Sequence, residues 1–205
     1  MSFLTEEWED SFKFKGETFH VNLAFDNILL LFEMFNDESL ANEEKIVLSL
    51  EMLVNEYEKI RFDSPEEFIS LYQYVMKEFL GYDSEETNEE SDKKKTYDFE
   101  KDAELIYASF YAAYHIDLIE QKGKLHWRKF ITLMRNLDDK TAFKKVVEIR
   151  TMKVPKTDKH NHEQVAQIRK LKQIYSLEDT SGEDNLQNAF SEVGAVFRGM
   201  KKAGE

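Results

Sequence analysis

Apolar residues recur at helical spacing along most of this chain. The longest pattern follows Asp98, a residue type that favours helix N-caps, and keeps one face apolar for about five turns. Its apolar positions are Ala103, Ile106, Tyr107, Phe110, Ala113, Tyr114 and Leu118. Gly123 is a natural end, because glycine tolerates the left-handed conformation that closes helices. We therefore predict one long helix between Asp98 and Gly123.

Two further helices are predicted after Gly123, one over residues 125–137 and one from Asp138 to Pro155. Proline ends the second because it cannot continue a helix. In the first helix, Arg128, Lys129 and Arg135 are predicted to face solvent. The predicted inward positions are Trp127, Phe130, Ile131 and Met134 in the first helix and Phe143, Val146, Val147 and Arg150 in the second.

Near the N-terminus, two short segments alternate apolar and polar residues around Lys15-Gly16-Glu17. Alternation about a glycine turn predicts a β-hairpin. A lone hairpin is marginal in water, so this one must lie on the helices. The residues expected to make that contact are Phe12, Phe14, Phe19 and Val21.

Three helices are predicted between the hairpin and residue 80. The first, over residues 23–35, is apolar on most sides, and such a helix is either central in the fold or covered by another chain. The second begins near Asn42, and the third begins with Ser64 as N-cap and Pro65 at the first helical position. Expected buried positions are Ile46, Leu50, Leu53, Tyr57 and Ile60 in the second and Phe68, Tyr72, Val75 and Phe79 in the third.

A charged stretch and a weak C-terminal region divide the chain. No apolar residue occurs between Tyr82 and Tyr97, so this stretch cannot bury enough surface to offset the entropy of ordering. We expect an N-terminal hairpin and helices in residues 1–80, a charged flexible insertion in 81–96, a central helical core in 97–155 and a partly flexible helical extension in 156–205. The predicted fold is mainly α: a helical bundle of about six to eight helices with a small N-terminal β-hairpin.

The last apolar pattern falls at Leu186, Phe190, Val193, Phe197 and Met200. Gly194 and Gly199 each cost this segment about 1 kcal/mol in helix propensity relative to alanine. We expect the segment to become helical only against another surface.

Composition narrows the class of protein. Two prolines and seven glycines among 205 residues leave few turns, which favours helices over strands. The absence of cysteine removes disulfides, thiolate zinc sites and cysteine nucleophiles. The N-terminus does not resemble a signal peptide, and no apolar run approaches the ~20 residues of a membrane-spanning helix.

The net charge of −13 is unevenly distributed. Residues 1–82 hold 18 acidic and 6 basic residues, a net charge of −12, whereas residues 96–157 hold 9 acidic and 12 basic residues, a net charge of +3. The unevenness is typical of solvated surfaces in a soluble protein, and it also allows electrostatic complementarity to a partner.

No motif in the chain indicates catalysis or a metal site. P-loop, dinucleotide-binding, nucleophile-elbow and HExxH patterns are absent, and His160 and His162 have the wrong spacing for ligands on one helix face. A helix, glycine turn and helix with Arg128 and Lys129 could form a DNA reader, but the net charge of −13 opposes it. We expect a protein without enzyme activity, cofactor, metal, membrane contact or nucleic acid.

In this order, the motifs resemble a family of proteins from tailed phages and prophages of Gram-positive bacteria, encoded between the major tail protein and the tape-measure protein. The resemblance covers about residues 9–155. Arg128 replaces a frequent second aromatic residue, and His115 stands where glycine is common before an Ile-Asp-Leu triplet. The matching motifs are Phe14-Lys15-Gly16 through Asn22, Phe25 to Phe35, Glu43-Glu44-Lys45-Ile46, the Ser64-Pro65 helix, Asp98-Phe99, Asp102-Ala103, Tyr114-His115-Ile116-Asp117-Leu118, Leu125-His126-Trp127, Phe130, Leu137 and Arg150.

This resemblance implies a tail-assembly chaperone of a siphovirus-type phage. Such a protein binds the tape-measure protein, keeps it soluble during tail-tube assembly, stays in the host cytoplasm and is absent from the mature virion. A homo-oligomer is expected, with the major tail protein as a further candidate partner. Alternatives are a structural tail component retained in the virion and, less favoured, a nucleic-acid-binding regulator.

Surplus apolar surface supplies the candidate partner-binding residues. They come from the first helix and the last segment, and the alternative is that both belong to the chain's own core. The candidates are Leu29, Phe32, Phe35, Leu186, Phe190, Val193, Phe197 and Met200.

Overall fold

The computed structural model describes residues 3–5, 7–82, 96–157 and 161–177. Within these ranges the chain has one two-stranded hairpin and seven α-helices, which confirms the predicted mainly α fold with a small N-terminal hairpin. The elements are β1 (Ser11–Phe14), β2 (Glu17–His20), α1 (Phe25–Asn36), α2 (Asn42–Leu53), α3 (Pro65–Leu80), α4 (Ala103–Tyr114), α5 (Trp127–Arg135), α6 (Ala142–Thr151) and α7 (His162–Ile174). A single 3-10 turn, Tyr57–Lys59, follows α2.

These elements form two compact units. The first unit contains β1 to α3, and the second contains α4 to α7. The predicted flexible insertion falls largely on residues 83–95, which lie outside the described residues.

The hairpin forms as predicted, with a two-residue turn. Lys15 and Gly16 have φ angles of 49° and 86°, and positive φ at both central residues gives a turn whose twist matches that of the strands. Phe12 pairs with Phe19 across the strands, with ring centroids 5.7 Å apart and both side chains buried. Phe12 also lies 6.2 Å from the ring of Phe79 in α3, so the hairpin packs on a helix.

Lys15 in the hairpin turn reaches the start of α3. Its Nζ lies 2.8 Å from a carboxylate oxygen of Asp63 and 2.7 Å from one of Glu67. Hydrogen bonds to these carboxylates raise the pKa of Lys15, and the bond from Lys15 helps to lower the pKa of Glu67. The groups are solvent-accessible, so water screens the interaction and it serves mainly to orient the turn.

The three helices of the first unit share one core, and a buried lysine closes the end of α1. Lys45 is 8% exposed, and its Nζ donates to the backbone carbonyl of Phe35 at 2.9 Å. A cation there complements the negative pole of α1. The buried apolar residues of the helices are Phe25, Ile28, Leu31, Phe32 and Phe35 in α1, Ile46, Leu50 and Leu53 in α2, and Leu71, Tyr72, Val75, Met76 and Phe79 in α3.

The helix α3 begins where its sequence signals predict, and it ends at a glycine. The Ser64 hydroxyl accepts a hydrogen bond from the amide of Glu67 at 3.3 Å, and Pro65 occupies the first helical position. Gly81 closes the helix with a φ angle of 77°, and its amide donates to the carbonyl of Lys77.

The helix α4 is shorter than predicted, and the prediction of a helix continuing to Gly123 is wrong. His115 adopts the left-handed conformation with a φ angle of 54°, and its amide donates to the carbonyl of Tyr111. Asp117 then accepts hydrogen bonds from the amides of Ile119 and Glu120. A short polar side chain that binds nearby amides offers the backbone an alternative to helix, which explains the early end.

Asp98 shapes the approach to α4 but does not cap it. Its carboxylate accepts hydrogen bonds from the amides of Glu100 and Lys101, both at 2.9 Å, and its carbonyl accepts one from the amide of Asp102. The helix itself begins at Ala103. The predicted N-cap residue thus organises the turn that precedes the helix.

Two of the predicted inward residues in each of α5 and α6 are buried. Phe130 and Met134 are buried in α5, and Phe143 and Val146 are buried in α6. The three basic residues Arg128, Lys129 and Arg135 are exposed, as expected.

Buried Ser109 joins α4 to the start of α6. The Ser109 hydroxyl accepts a hydrogen bond from the amide of Phe143 at 3.1 Å. The helix α6 begins later than Asp138, because the Asp138 carboxylate accepts the amide of Lys140 and forms a turn.

A buried ion pair connects three helices of the second unit. Arg150 at the end of α6 binds both carboxylate oxygens of Asp102, at 2.5 and 2.8 Å. The same guanidinium donates to the carbonyls of Tyr175 at 2.6 Å and Thr96 at 3.2 Å, while Asp102 also accepts the amide of Asp98. The side chains of Asp102 and Arg150 are only 2% and 10% exposed, so each depends on the other for compensation of its charge.

Lys172 of α7 adds a second link to α6. Its Nζ donates to the carbonyls of Ile149, Arg150 and Met152, at distances of 3.3, 2.5 and 2.6 Å. These carbonyls belong to the last turn of α6 and its exit, where a cation is favoured. The weak apolar pattern of α7 is therefore supplemented by polar contacts to α6.

Replacing Arg150 with methionine is expected to lower the free energy of unfolding of the second unit by about 3–5 kcal/mol, because it leaves Asp102 buried without its cation. The double variant Asp102→Leu/Arg150→Met should be less destabilised, since no charge remains buried. Urea unfolding followed by circular dichroism measures both, with Arg135→Met as the control at an exposed arginine. Stability of the Arg150→Met variant equal to that of the parent would contradict this account.

Replacing His115 with glycine is expected to raise the free energy of unfolding by about 0.5–1 kcal/mol, because glycine has no Cβ to strain the left-handed conformation. His115→Ala is the matched control, since it removes the imidazole but keeps Cβ. Thermal unfolding compares the variants. An alanine variant as stable as the glycine variant would show that backbone conformation is not the cause.

Candidate functional site

The structure places the predicted partner-binding residues of α1 largely inside the first unit. Phe32 and Phe35 are 2% and 3% exposed, and Leu29 is half-buried. The chain's own core therefore accounts for both phenylalanines, which is the alternative that the sequence left open. Leu30, which the pattern did not single out, presents 53% of its surface to solvent.

The remaining candidates lie outside the described residues, and their role stays a prediction. They are Leu186, Phe190, Val193, Phe197 and Met200.

A shallow groove of about 400 Å³ lies on the outer face of α2. Its apolar residues are half-buried or, for Val47, 37% exposed. Three carboxylates stand beside them. The groove is lined by Leu40, Val47 and Leu48 together with Glu43, Glu44 and Glu51.

The groove follows from the two faces of α2. Ile46, Leu50 and Leu53 are buried on one face. On the other face Glu43, Val47 and Glu51 succeed each other at four-residue spacing, so they form one row along the helix. Val47 therefore has a carboxylate about one turn away on either side.

Glu44 contributes to the groove and also to the helix start. Its carboxylate accepts a hydrogen bond from the amide of Ala41 at 2.8 Å, which satisfies a donor before the first turn. The sequence pattern placed Glu43 and Glu44 just after the predicted helix start at Asn42 and in a motif of the family resemblance, and it did not indicate the groove. The signal that could have revealed it is the repeat of acid, valine and acid at positions 43, 47 and 51.

The second unit exposes a different kind of surface, which includes two stacked tyrosines. The rings of Tyr107 and Tyr111 lie 6.5 Å apart, and Tyr111 is 54% exposed. The Tyr107 hydroxyl donates to Asp117 at 3.3 Å. Desolvation and the Asp117 carboxylate raise the pKa of Tyr107. These contacts give Tyr107 a structural role.

Three described histidines likewise have structural positions. His126 caps α5, with Nδ1 accepting from the amide of Arg128 at 3.0 Å. His20 Nδ1 lies 2.9 Å from a carboxylate oxygen of Glu56, and His115 ends α4. In the part of the chain that the structure describes, no group of three or more histidines and carboxylates could hold a metal ion.

Among the residues placed in the structure, no helix combines the length and apolar character needed to cross a membrane.

No curated protein and no solved structure matches this chain. A family model described as Bacteriophage Gp15 protein matches residues 4–177. The matched region runs from before the hairpin to just beyond α7, so it includes the acidic groove and the Asp102–Arg150 pair. It also extends past the stretch of about residues 9–155 in which the phage-family resemblance was noted. The chain therefore belongs to the bacteriophage Gp15 protein family.

Proposed function

We propose that this protein is a tail-assembly chaperone, which binds the tape-measure protein and keeps it soluble while the tail tube assembles. Its membership of a bacteriophage family supports a role in the phage life cycle. The observation that carries the proposal further is the acidic, partly apolar outer surface of the first unit. The proposed site of action is the host cytoplasm, before the tail is complete.

Besides Phe3 and Leu4 near the N-terminus, the exposed large apolar residues described in the first unit lie on three different helices. Leu30 of α1 is 53% exposed, Val47 of α2 is 37% exposed and Tyr74 of α3 is 47% exposed. Exposed apolar side chains are available for contact with a partner. Because these exposed apolar residues are distributed over three helices, we expect several small contacts with a partner and not one deep binding site.

Charge explains how such a surface stays in solution. Residues 1–82 hold 18 acidic and 6 basic residues, a net charge of −12. A high net charge limits nonspecific aggregation of a protein. A chaperone for a long, aggregation-prone helical chain needs both properties: apolar contact and its own solubility.

Weak contacts suffice if they are repeated. A tape-measure protein is long, so many copies of this chain could bind along it. Each further contact then forms within an existing complex, and the total affinity exceeds that of one site. Self-association of the chaperone along its partner would add to this effect.

Co-expression with the neighbouring tape-measure protein tests the proposal. We expect a soluble complex with several copies of this chain per tape measure, measured by size-exclusion chromatography with light scattering. An insoluble tape measure with this chain eluting alone would contradict the chaperone role. Stoichiometric presence of the chain in purified phage particles would instead identify a structural tail component.

A second prediction concerns the C-terminal apolar pattern. Replacing Phe190, Val193 and Phe197 with serine is expected to weaken tape-measure binding or self-assembly, because it removes the apolar stripe that would contact another surface. Helicity measured by circular dichroism should show that the units remain folded. Asn188→Ser is the control in the same segment. Unchanged binding and unchanged mass in the triple variant would remove this segment from the proposed interface.

A further inference from the structure

The structure assigns the α2 groove to a partner of defined chemistry: an amphipathic helix that carries lysine or arginine on both sides of a short apolar stripe. The inference deepens the proposed function, in which the tape-measure protein would supply this helix. Its basis is the arrangement of apolar and acidic side chains along α2.

The row on α2 sets the spacing that a partner must match. Glu43 and Glu51 are eight residues apart, which corresponds to about 12 Å along a helix. Val47 lies midway between them. A partner helix placed along this row would bring an apolar side chain to Val47 and basic side chains to the two glutamates, as in helix-in-groove recognition.

The charge of the groove is not neutralised from within α2. Lys45 is the only basic residue of α2. It is buried on the face of the helix opposite the groove, with Nζ bound to the carbonyl of Phe35. The groove therefore presents carboxylates without a cation from its own helix. A basic partner is attracted to such a site and an acidic one is repelled.

The groove is also dispensable for the packing of α2. The helix contributes Ile46, Leu50 and Leu53 to the core of the first unit. Val47 remains 37% exposed, and the neighbouring Leu48 is only half-buried. Polar replacements at Val47 should therefore leave the fold intact, which makes the groove testable by substitution.

The test uses two labelled synthetic helices of about 18 residues, a length that gives five turns. Both carry leucines at i, i+4 and i+7; one has lysines beside the stripe, and the other has glutamates at the same places. Fluorescence anisotropy measures their binding to the full chain. We expect the lysine helix to bind about tenfold more tightly than the glutamate helix, a difference of about 1.4 kcal/mol, and to lose affinity as salt is raised.

Substitutions locate the binding. Val47→Ser, which removes the apolar side chain without adding charge, should weaken binding of the lysine helix about tenfold, whereas Leu30→Ser, at an exposed leucine of α1, should leave it unchanged. Glu43→Lys/Glu51→Lys should reverse the preference between the two helices. Glu17→Lys/Glu78→Lys changes the net charge by the same amount away from the groove and should not reverse it. Equal binding to the Val47→Ser variant and the parent would overturn the inference.

Other occupants of the groove give different results. If the chain's own C-terminal segment fills it, the Phe190→Ser/Val193→Ser/Phe197→Ser variant should bind the lysine helix about tenfold more tightly than the parent does. If a second copy fills it, Val47→Ser should reduce the mass of the protein measured by light scattering. Either result would overturn the assignment to a partner helix.

The groove and the chaperone role can fail separately. A tape-measure complex that forms equally well with the parent and with Val47→Ser would reject the groove but keep the chaperone role. Groove-dependent binding of the lysine helix, without any complex between the parent and the tape-measure protein, would reject the chaperone role but keep the groove.

Discussion

A charge buried without a partner costs several kcal/mol, and both units of this protein bury charged side chains for which the fold supplies partners. In the second unit Asp102 is almost fully buried and requires Arg150, whose guanidinium also holds the carbonyls of Thr96 and Tyr175. One ion pair thereby fixes the start of α4 against the ends of α6 and α7. In the first unit buried Lys45 binds the carbonyl of Phe35 and closes the end of α1.

The position of Lys45 has a consequence for the outer face of α2. Because the only cation of the helix points into the unit, the opposite face carries Glu43, Glu44 and Glu51 around an apolar centre. Lys45 thus stabilises the end of α1, and its burial means that no cation of α2 offsets the carboxylates around the apolar groove. In a member of a bacteriophage family, such a surface is suited to a basic amphipathic helix, and this is how the proposed chaperone would hold its partner.

Local signals predicted those elements whose ends depend on nearby residues. Ser64 and Pro65 begin α3 as predicted, and Lys15-Gly16 forms the predicted hairpin turn. The end of α4 was missed because His115 takes a conformation typical of glycine. The family resemblance implies such a signal, because it places His115 where glycine is expected before the Ile-Asp-Leu triplet.

Features that depend on distant residues were harder to predict. Asp102 and Arg150 are 48 positions apart, and periodicity alone placed Arg150 on an inward face without indicating its partner. Phe32 and Phe35 fit either a core or an interface, and only the packing of α1 shows them buried. The groove was missed because its residues come from a helix start and an exposed valine, neither of which is unusual by itself.

Photo-crosslinking from position 47 tests whether the α2 groove contacts the tape-measure protein. A photoreactive phenylalanine analogue would replace Val47 in cells that also produce the tape-measure protein, with the same analogue at Leu30 as the comparison. Mass spectrometry would then identify the crosslinked peptides. We expect crosslinks from position 47 to basic, amphipathic helical segments of the tape-measure protein. Crosslinks only to this chain itself, or to unrelated proteins, would contradict the proposed interaction.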